Sequence, residues 1–235
     1  MPILALETST LVSSVALGTA DTLLGEITLQ TKKTHSELLM PHIAKLLAMA
    51  QIKKSEIKAV AVSIGPGSFT GLRIGLATAK SLAYALQIPI VGVPSLAALA
   101  YGCPVSGVIL APMLDAQKGN VYQAVFQWQN GELKELMPTT VMDIQEALEK
   151  LTQYNLPVVV MGEAAVIHSE KIQRMGNYLE LARPHMMIQR AASVAGLGHA
   201  LITQGIKHDV MGLEPVYIRR SEAEVLWERR QENSL

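Results

Sequence analysis

Two rhythms of apolar residues run through this chain of 235 residues. One consists of short unbroken runs rich in valine and isoleucine, the pattern of strands covered on both faces. The other places apolar residues three and four apart, the pattern of one helix face. The runs come first. Residues 3–7 form a strand, Thr8-Ser9-Thr10 turns it, 13–17 returns, and 23–31 alternates in part, so the chain opens with a β-meander. A helical stripe covers 36–50, and 57–64 is again an unbroken run. Gly65-Pro66-Gly67 then punctuates the chain, because glycine opens backbone angles closed to other residues and proline stiffens the turn. Ser68 or Thr70 caps the following helix, which reaches about residue 86. A strand over 89–93 leads into a short helix at Pro94-Ser95.

After Gly102-Cys103-Pro104 the same order restarts. Residues 108–113 are strand-like, 120–129 alternate, and Asn130-Gly131 is a hairpin turn into a strand over 132–137. A short amphipathic helix covers 144–151, and a buried strand over 157–161 ends at Gly162. Helical patterns follow over 164–175 and 191–204. The halves share an order of elements and no sequence identity. The expectation is an α/β chain of two βββαβα lobes, a duplication of the actin-like, hsp70-like or sugar-kinase-like kind (the ASKHA fold). Residues 1–103 form an N-terminal lobe, 104–220 a C-terminal lobe, and 221–235 a charged tail that is helical or frayed.

The helix over 36–50 carries Leu39, Ile43, Leu46, Leu47 and Ala50 on one stripe, and its only charged residues are Glu37 and Lys45. So little polarity predicts a second covered face. The helix after Gly71 carries small residues at every fourth position, Gly71, Gly75, Ala79 and Ala83, which admit a close neighbour. Either both helices belong to the core of a larger sheet sandwich, or together they form a subunit interface.

Composition narrows the function classes. Hydrophobic residues at 49% supply a core. A formal net charge of +0 with no basic block disfavours tight direct RNA binding. Cys103 is the only cysteine, which rules out an internal disulfide and a cysteine zinc cluster. An acidic residue as early as Glu7 is unlike a signal peptide, and no apolar run is long enough to span a bilayer. The expected setting is soluble and cytoplasmic.

Two stretches have the composition of an anion site. Glu7, Thr8 and Ser9 end the first strand in a turn whose N–H groups and hydroxyls suit phosphate, but the turn lacks glycine, and plain turn chemistry is the favoured reading. Gly65, Gly67 and Ser68 precede a helix N-terminus, where anions bind well, and a ligand-free tight turn is the other reading. No Walker lysine follows, and Arg73 stands one turn into the helix to meet an anion or a partner carboxylate. His35 and His42 are spaced i, i+7, not as helical metal ligands, and no HExxH occurs, so no metal site is expected. Asp115-Ala116-Gln117-Lys118-Gly119 follows a buried strand as a cleft loop or an ordinary turn.

Ser63 through Gly75 resembles the signature of the TsaB (YeaZ) family. Ile3 through Thr10, His35 through Pro41, Leu114-Asp115-Ala116 with Val121-Tyr122, and Glu214 through Arg219 resemble its other hallmarks, in order along most of the chain. The chain departs from many relatives at Glu7, where they have aspartate, and at Gln117-Lys118, where they have arginine after Asp-Ala. The resemblance implies a bacterial actin-like protein that helps make threonylcarbamoyl-adenosine next to the anticodon of tRNAs reading codons that start with A. In that scheme TsaC makes threonylcarbamoyl-AMP, the paralogue TsaD transfers the threonylcarbamoyl group, TsaE is an ATPase partner, and TsaB supports TsaD. In TsaD-like enzymes two histidines follow the corresponding strand and hold a metal. Here Ser95 and Leu99 stand at those positions, and leucine cannot ligate a metal.

The expectation is therefore a non-catalytic partner of TsaD, with no catalytic residue, metal or cofactor of its own. ATP or ADP enters at the complex with TsaE, tRNA is met only through the complex, and the chain alone forms a homodimer. The expected interface residues are Leu39, Ile43, Leu46, Leu47, Gly71, Arg73, Gly75 and Ala79. A large charged residue at Gly75 is expected to disrupt pairing and leave the lobe folded. The alternatives are a small actin-like phosphotransferase using Glu7, Thr8, Ser9 and Gly65 to Ser68, and a metalloprotease, which the ligand set opposes.

Overall fold

The unbroken apolar runs become strands with no surface in water. In the computed structural model, which describes residues 1–31, 34–176 and 178–218, β1 (Ile3–Glu7), β2 (Val12–Gly18) and β4 (Ala59–Gly65) are buried along their whole length. With β3 (Leu23–Gln30) and β5 (Ile90–Pro94) they make a five-stranded sheet of order β3-β2-β1-β4-β5. β1 runs antiparallel to β2 and parallel to β4. Helices α1 (His35–Ala50) and α2 (Phe69–Leu86) lie side by side on one face. α1 starts where Glu37 reaches back to accept the Thr34 N–H (3.1 Å) and ends at Gln51, whose φ of 56° turns the chain out of the helix.

The second half repeats the plan. β6 (Ile109–Asp115), β7 (Asn120–Gln129), β8 (Glu132–Asp143), β9 (Val158–Met161) and β10 (Leu179–Leu181) form a sheet of order β10-β9-β6-β7-β8, which read from its other edge is the order of the first. Helix α4 (Ile144–Leu151) joins β8 to β9, and the actin-like duplication expected from the order of elements is present. Three details differ from expectation. β8 runs on to Asp143, with the register slipping opposite Val125. The helix expected over 164–175 is two, α5 (Glu163–Ile167) and α6 (Ser169–Arg174), because His168 leaves helical geometry at φ −104° and ψ 20°. β10 was not expected, since three residues are too few to show a period.

The last helix of each half crosses over. α3 (Ser95–Tyr101) follows β5, yet Leu96, Leu99 and Ala100 share a core with Leu110, Leu114 and Phe126 of the second sheet. α7 (Ala191–Thr203) belongs to the second half, yet Ala191, Val194 and Ala195 pack on Ile3, Ala5, Ala16 and Val91 of the first. The N-terminus of α7 is held by the first sheet. Ser14 Oγ accepts the Ala191 N–H (2.9 Å), and Glu26 accepts the Ala192 N–H (3.0 Å) and Arg190 Nε (3.0 Å). The tail expected from Ser221 onward lies outside the described residues, as does Arg219.

Candidate functional site

The β1–β2 turn and the start of α2 are knitted together. Glu7 and Thr8 are fully buried, and neither is positioned to meet a ligand. Glu7 Oε1 accepts the Ser9 N–H (2.6 Å), and Thr8 Oγ1 donates to the Gly71 carbonyl (2.8 Å). Burial pushes the Glu7 carboxyl up from its ordinary value, against hydrogen bonds from Ser9, Ser63 and Thr8 that favour the charged form. The Ser9 carbonyl accepts the Ser68 N–H (2.6 Å). A Cβ on Gly67, at φ +156°, would overlap the Ser9 backbone. Ser68 Oγ accepts the Gly71 N–H (3.2 Å), which makes Ser68 the N-cap. The expected anion turn thus uses the Ser68 N–H and hydroxyl on its own chain.

The small-residue stripe of α2 serves the same joint. A side chain on Gly71 would overlap the Thr8 carbonyl, and one on Gly75 would overlap Thr8 Oγ1. Ala79 is fully buried. On α1, Leu39, Ile43, Leu46 and Leu47 point into the core of their own lobe, with Leu4, Leu6, Val15 and Val62. Each contributes on the order of 1.5–3 kcal/mol by that burial, with no partner required. These expected interface positions do not face outward, because a helix lying on a sheet turns its apolar stripe to the strands. Gly75 is accordingly a packing position, not a surface one.

A different stripe faces outward. Met40, Pro41, Ala44, Lys45, Ala48 and Met49 are exposed on α1, and Thr70, Arg73, Ala77, Ser81 and Tyr84 on α2. Met40 is 50%, Met49 71% and Tyr84 65% exposed. The charged residues of this face are Lys45, Arg73 and, one turn before Met40 and Pro41, the exposed Glu37.

Between the lobes lies a cleft of ≈ 820 Å3. Ser9 and His35 line it from the first lobe, and Asp115 and Glu163 from the second. His35 Nε2 donates to the Thr10 carbonyl (2.8 Å). Asp115 braces its own turn by accepting the Gln117 N–H (2.9 Å). Burial pushes the Glu163 carboxyl up, the nearby Asp115 charge adds to this, and the Asp115 N–H opposes it. Among the described residues no lysine or arginine lines the cleft. Polyphosphate brought there would face two carboxyl groups and, among the described residues, no lining lysine or arginine.

The third wall of the cleft is a strap, residues 213–218. Leu213 is buried in the first core. The Val216 N–H donates to the Ile64 carbonyl (2.7 Å), and the Val216 carbonyl lies 2.8 Å from where a Gly65 Cβ would be. Tyr217 stacks on Phe69 at 4.6 Å, and Arg73 lies over Phe69 at 3.9 Å while its Nε donates to the Tyr217 hydroxyl (3.0 Å). Arg73, expected to meet an anion or a partner, thus holds the strap. Sequence reasoning saw the Glu214–Arg219 motif without its role, and missed Glu163. The signal for Glu163 was the repeat, since Gly162-Glu163 follows β9 as Pro66-Gly67 follows β4.

Ser95 is fully buried and its Oγ lies 2.7 Å from Ser63 Oγ, while Leu99 sits in the second core. At these two positions α3 carries a hydroxyl, paired with Ser63 of β4, and a leucine, which is not a metal-ligating set. Among the described residues there is no group of three or more His, Cys, Asp or Glu able to hold a metal ion, and no helix long and apolar enough to cross a membrane.

Comparison with known proteins agrees with this architecture. Residues 22–227 match the family model described as TsaD, tRNA N6-adenosine threonylcarbamoyltransferase. The tRNA threonylcarbamoyladenosine biosynthesis protein TsaB of Bacillus subtilis is 34% identical, with 97% of this chain and 98% of that protein covered. The protein of the same description from Escherichia coli is 27% identical, covering 97% and 98%. Among solved structures, YeaZ from Pseudomonas aeruginosa superposes with a TM-score of 0.77 at 26% identity, over 92% of this chain and 99% of that one. With a matching fold and end-to-end similarity, this chain belongs to the TsaB (YeaZ) family of tRNA threonylcarbamoyladenosine biosynthesis proteins.

Proposed function

We propose that this chain is a non-catalytic subunit that pairs with a TsaD-type transferase and supports threonylcarbamoyl transfer to the adenosine beside the anticodon of tRNAs reading A-starting codons. The observation that carries the reading is the outward face of α1 and α2: exposed methionine, small residues at Ala44, Ala48, Ala77 and Ser81, and little charge. Helices of 16 and 18 residues lying side by side present on the order of 500 Å2, the scale of one side of a modest interface. Small side chains at i, i+4 let a second helix pair approach closely, so the contact is a four-helix one. TsaD, as a paralogue of similar scaffold, offers the matching pair of helices. In its absence a second copy of this chain uses the same patch about a two-fold axis.

Ser95 and Leu99 support the non-catalytic part of the reading, since the positions that would carry metal ligands carry none. Nucleotide belongs to the complex with TsaE, tRNA meets the chain only within that complex, and the setting is the cytoplasm. The phosphotransferase reading has the interlobe cleft in its favour, and against it that no lysine or arginine among the described residues lines that cleft.

The test is reconstitution of tRNA threonylcarbamoylation from TsaC, TsaD and TsaE with and without this chain. Product is expected only with it. Ala44→Arg with Ala77→Arg changes two exposed positions and is expected to abolish co-elution with TsaD and product formation while the melting curve is kept. Co-elution that survives would misplace the interface. Phosphate release from ATP by the purified chain alone would favour the phosphotransferase.

A further inference from the structure

Beside the interlobe cleft lies a second hollow of ≈ 620 Å3, a size usual for small-molecule sites. Its walls come from both halves of the chain: Val12 from β2, and Val166, Leu181, Met187 and Ile188 from the second half. The lining is mainly apolar, and among the described residues no lysine or arginine takes part in it. Val166 is 57% exposed, apolar surface that a molecule in the hollow would cover.

One polar group in this apolar setting is unfilled. Gln189 lines the hollow and is 1% exposed. Its Oε1 accepts from Thr10 Oγ1 (3.3 Å). Thr10 Oγ1 itself accepts the Val12 N–H (3.2 Å), so its single proton goes to Gln189 and the Nε2 end of the amide is left over. Among the described residues Nε2 finds no acceptor. A buried donor left unpaired is unfavourable, and a ligand acceptor at this point removes the penalty. Charge narrows the ligand further. Glu163 is the ionisable side chain among the described lining residues, and burial pushes its carboxyl up. An anion would meet that carboxyl with no lysine or arginine beside it, and a cation would need it charged where burial opposes charge. An extended peptide brings an N–H donor at nearly every residue, and a mainly apolar lining leaves most of them unpaired.

We infer that this hollow binds a small, uncharged, mainly apolar molecule whose carbonyl oxygen accepts a hydrogen bond from Gln189 Nε2. Its apolar body lies against Val12, Val166, Leu181, Met187 and Ile188. Because these walls belong to both halves, the bound molecule bridges them. The inference is independent of pairing with a transferase, whose proposed face is the outer side of α1 and α2.

The probe is Prodan, an uncharged naphthyl ketone whose emission moves to the blue in apolar surroundings. Titrated into the full chain, it is expected to shift to the blue and to saturate. Gln189→Met removes the donor at nearly constant volume and is expected to weaken binding about tenfold, the equivalent of one hydrogen bond, with the melting curve as the check on folding. Dimethylaminonaphthalene, which lacks the ketone, is expected to bind the parent and the variant alike. A second readout needs no variant: in NMR spectra of the parent chain the Gln189 side-chain NH2 signal is expected to move with Prodan and less with the ketone-free compound. Anilinonaphthalene sulfonate, an anion with a similar ring system, is expected not to displace Prodan. Ala44→Arg with Ala77→Arg is expected to leave the titration unchanged, and loss of binding there would place the probe on the helix face and overturn the inference. A Gln189 signal unmoved at saturation, equal affinity in a folded Gln189→Met, or displacement by the anion also overturns it. An uncharged hexapeptide of alternating leucine and serine that outbinds Prodan overturns it as well, by assigning the hollow to polypeptide.

Discussion

Glu7 shows what burial does to one side chain. Its carboxyl is sealed under the β1–β2 turn, and its folded pKa lies above the ordinary 4.5. Below that ordinary value the group is neutral whether the chain is folded or not, and its burial carries no ionic cost. As pH rises through the folded value, ionisation is easier in the unfolded chain and stability is lost. Glu7→Gln keeps an acceptor for the Ser9 N–H and removes the titration. Its melting temperature relative to the parent is expected to rise with pH above about 4.5, read by thermal denaturation from about pH 4 to 8. A flat difference would mean the carboxyl does not titrate in that window. Gly75 makes the complementary point about space. Gly75→Ala puts a methyl into Thr8 Oγ1 and is expected to cost about 1–3 kcal/mol in denaturant titration. Ala77→Arg, two residues on and exposed, is expected to stay within about 0.5 kcal/mol.

At the level of elements, α2 is shared by three neighbours. Its inner face meets the sheet and the Thr8 turn, its first turn carries the strap, and its outer face is open. The strap is held by one backbone hydrogen bond and the stack of Arg73, Phe69 and Tyr217. A stacked aromatic pair adds about 0.5–1.5 kcal/mol beyond area, and an exposed cation–π contact about 0.5–1 kcal/mol. Tyr217→Ala removes the stack and the hydrogen bond from Arg73 Nε, leaving Arg73 over Phe69, so exchange of the Val216 amide is expected to quicken about tenfold with the global melting temperature little changed. Unaltered exchange would show that Leu213 and the backbone bond hold the strap without the stack.

For the molecule as a whole, the exchange of last helices joins the two halves. Because α7 lies on the first sheet and α3 on the second, neither lobe completes its core from its own half. The joint depends on polar groups at the start of α7, where Glu26, 8% exposed in its side chain, accepts hydrogen bonds from the Ala192 N–H, the Arg190 guanidinium and the Ser14 hydroxyl. Glu26→Ala is expected to cost about 1.5–3 kcal/mol, the range for hydrogen bonds to a charged group. In a chain of this size that lowers the melting temperature by about 3–12 °C, and a single transition is expected to be kept. Two separate transitions would show that the halves fold independently.

The amino-acid sequence by itself determined the order of elements, the duplication and the family motif. Those are local patterns: apolar runs, helical stripes and glycine turns are set by residues a few positions apart. The tertiary structure alone decided which face of each element is covered. An apolar stripe on α1 looks the same whether it meets its own sheet or a partner, and a glycine every fourth residue looks the same whether it admits Thr8 or another subunit. Only the placement of β1 beside α2 shows that Leu39, Ile43, Leu46, Leu47, Gly71 and Gly75 are used within the lobe. The same placement leaves Met40, Ala44, Ala48, Ala77 and Tyr84 exposed. Equally, nothing local in Tyr217 or Glu163 points to the cleft. They reach it because the chain returns from α7 to Gly65 and because β9 ends opposite β1 across the lobes, and contacts so distant in sequence leave no periodic trace.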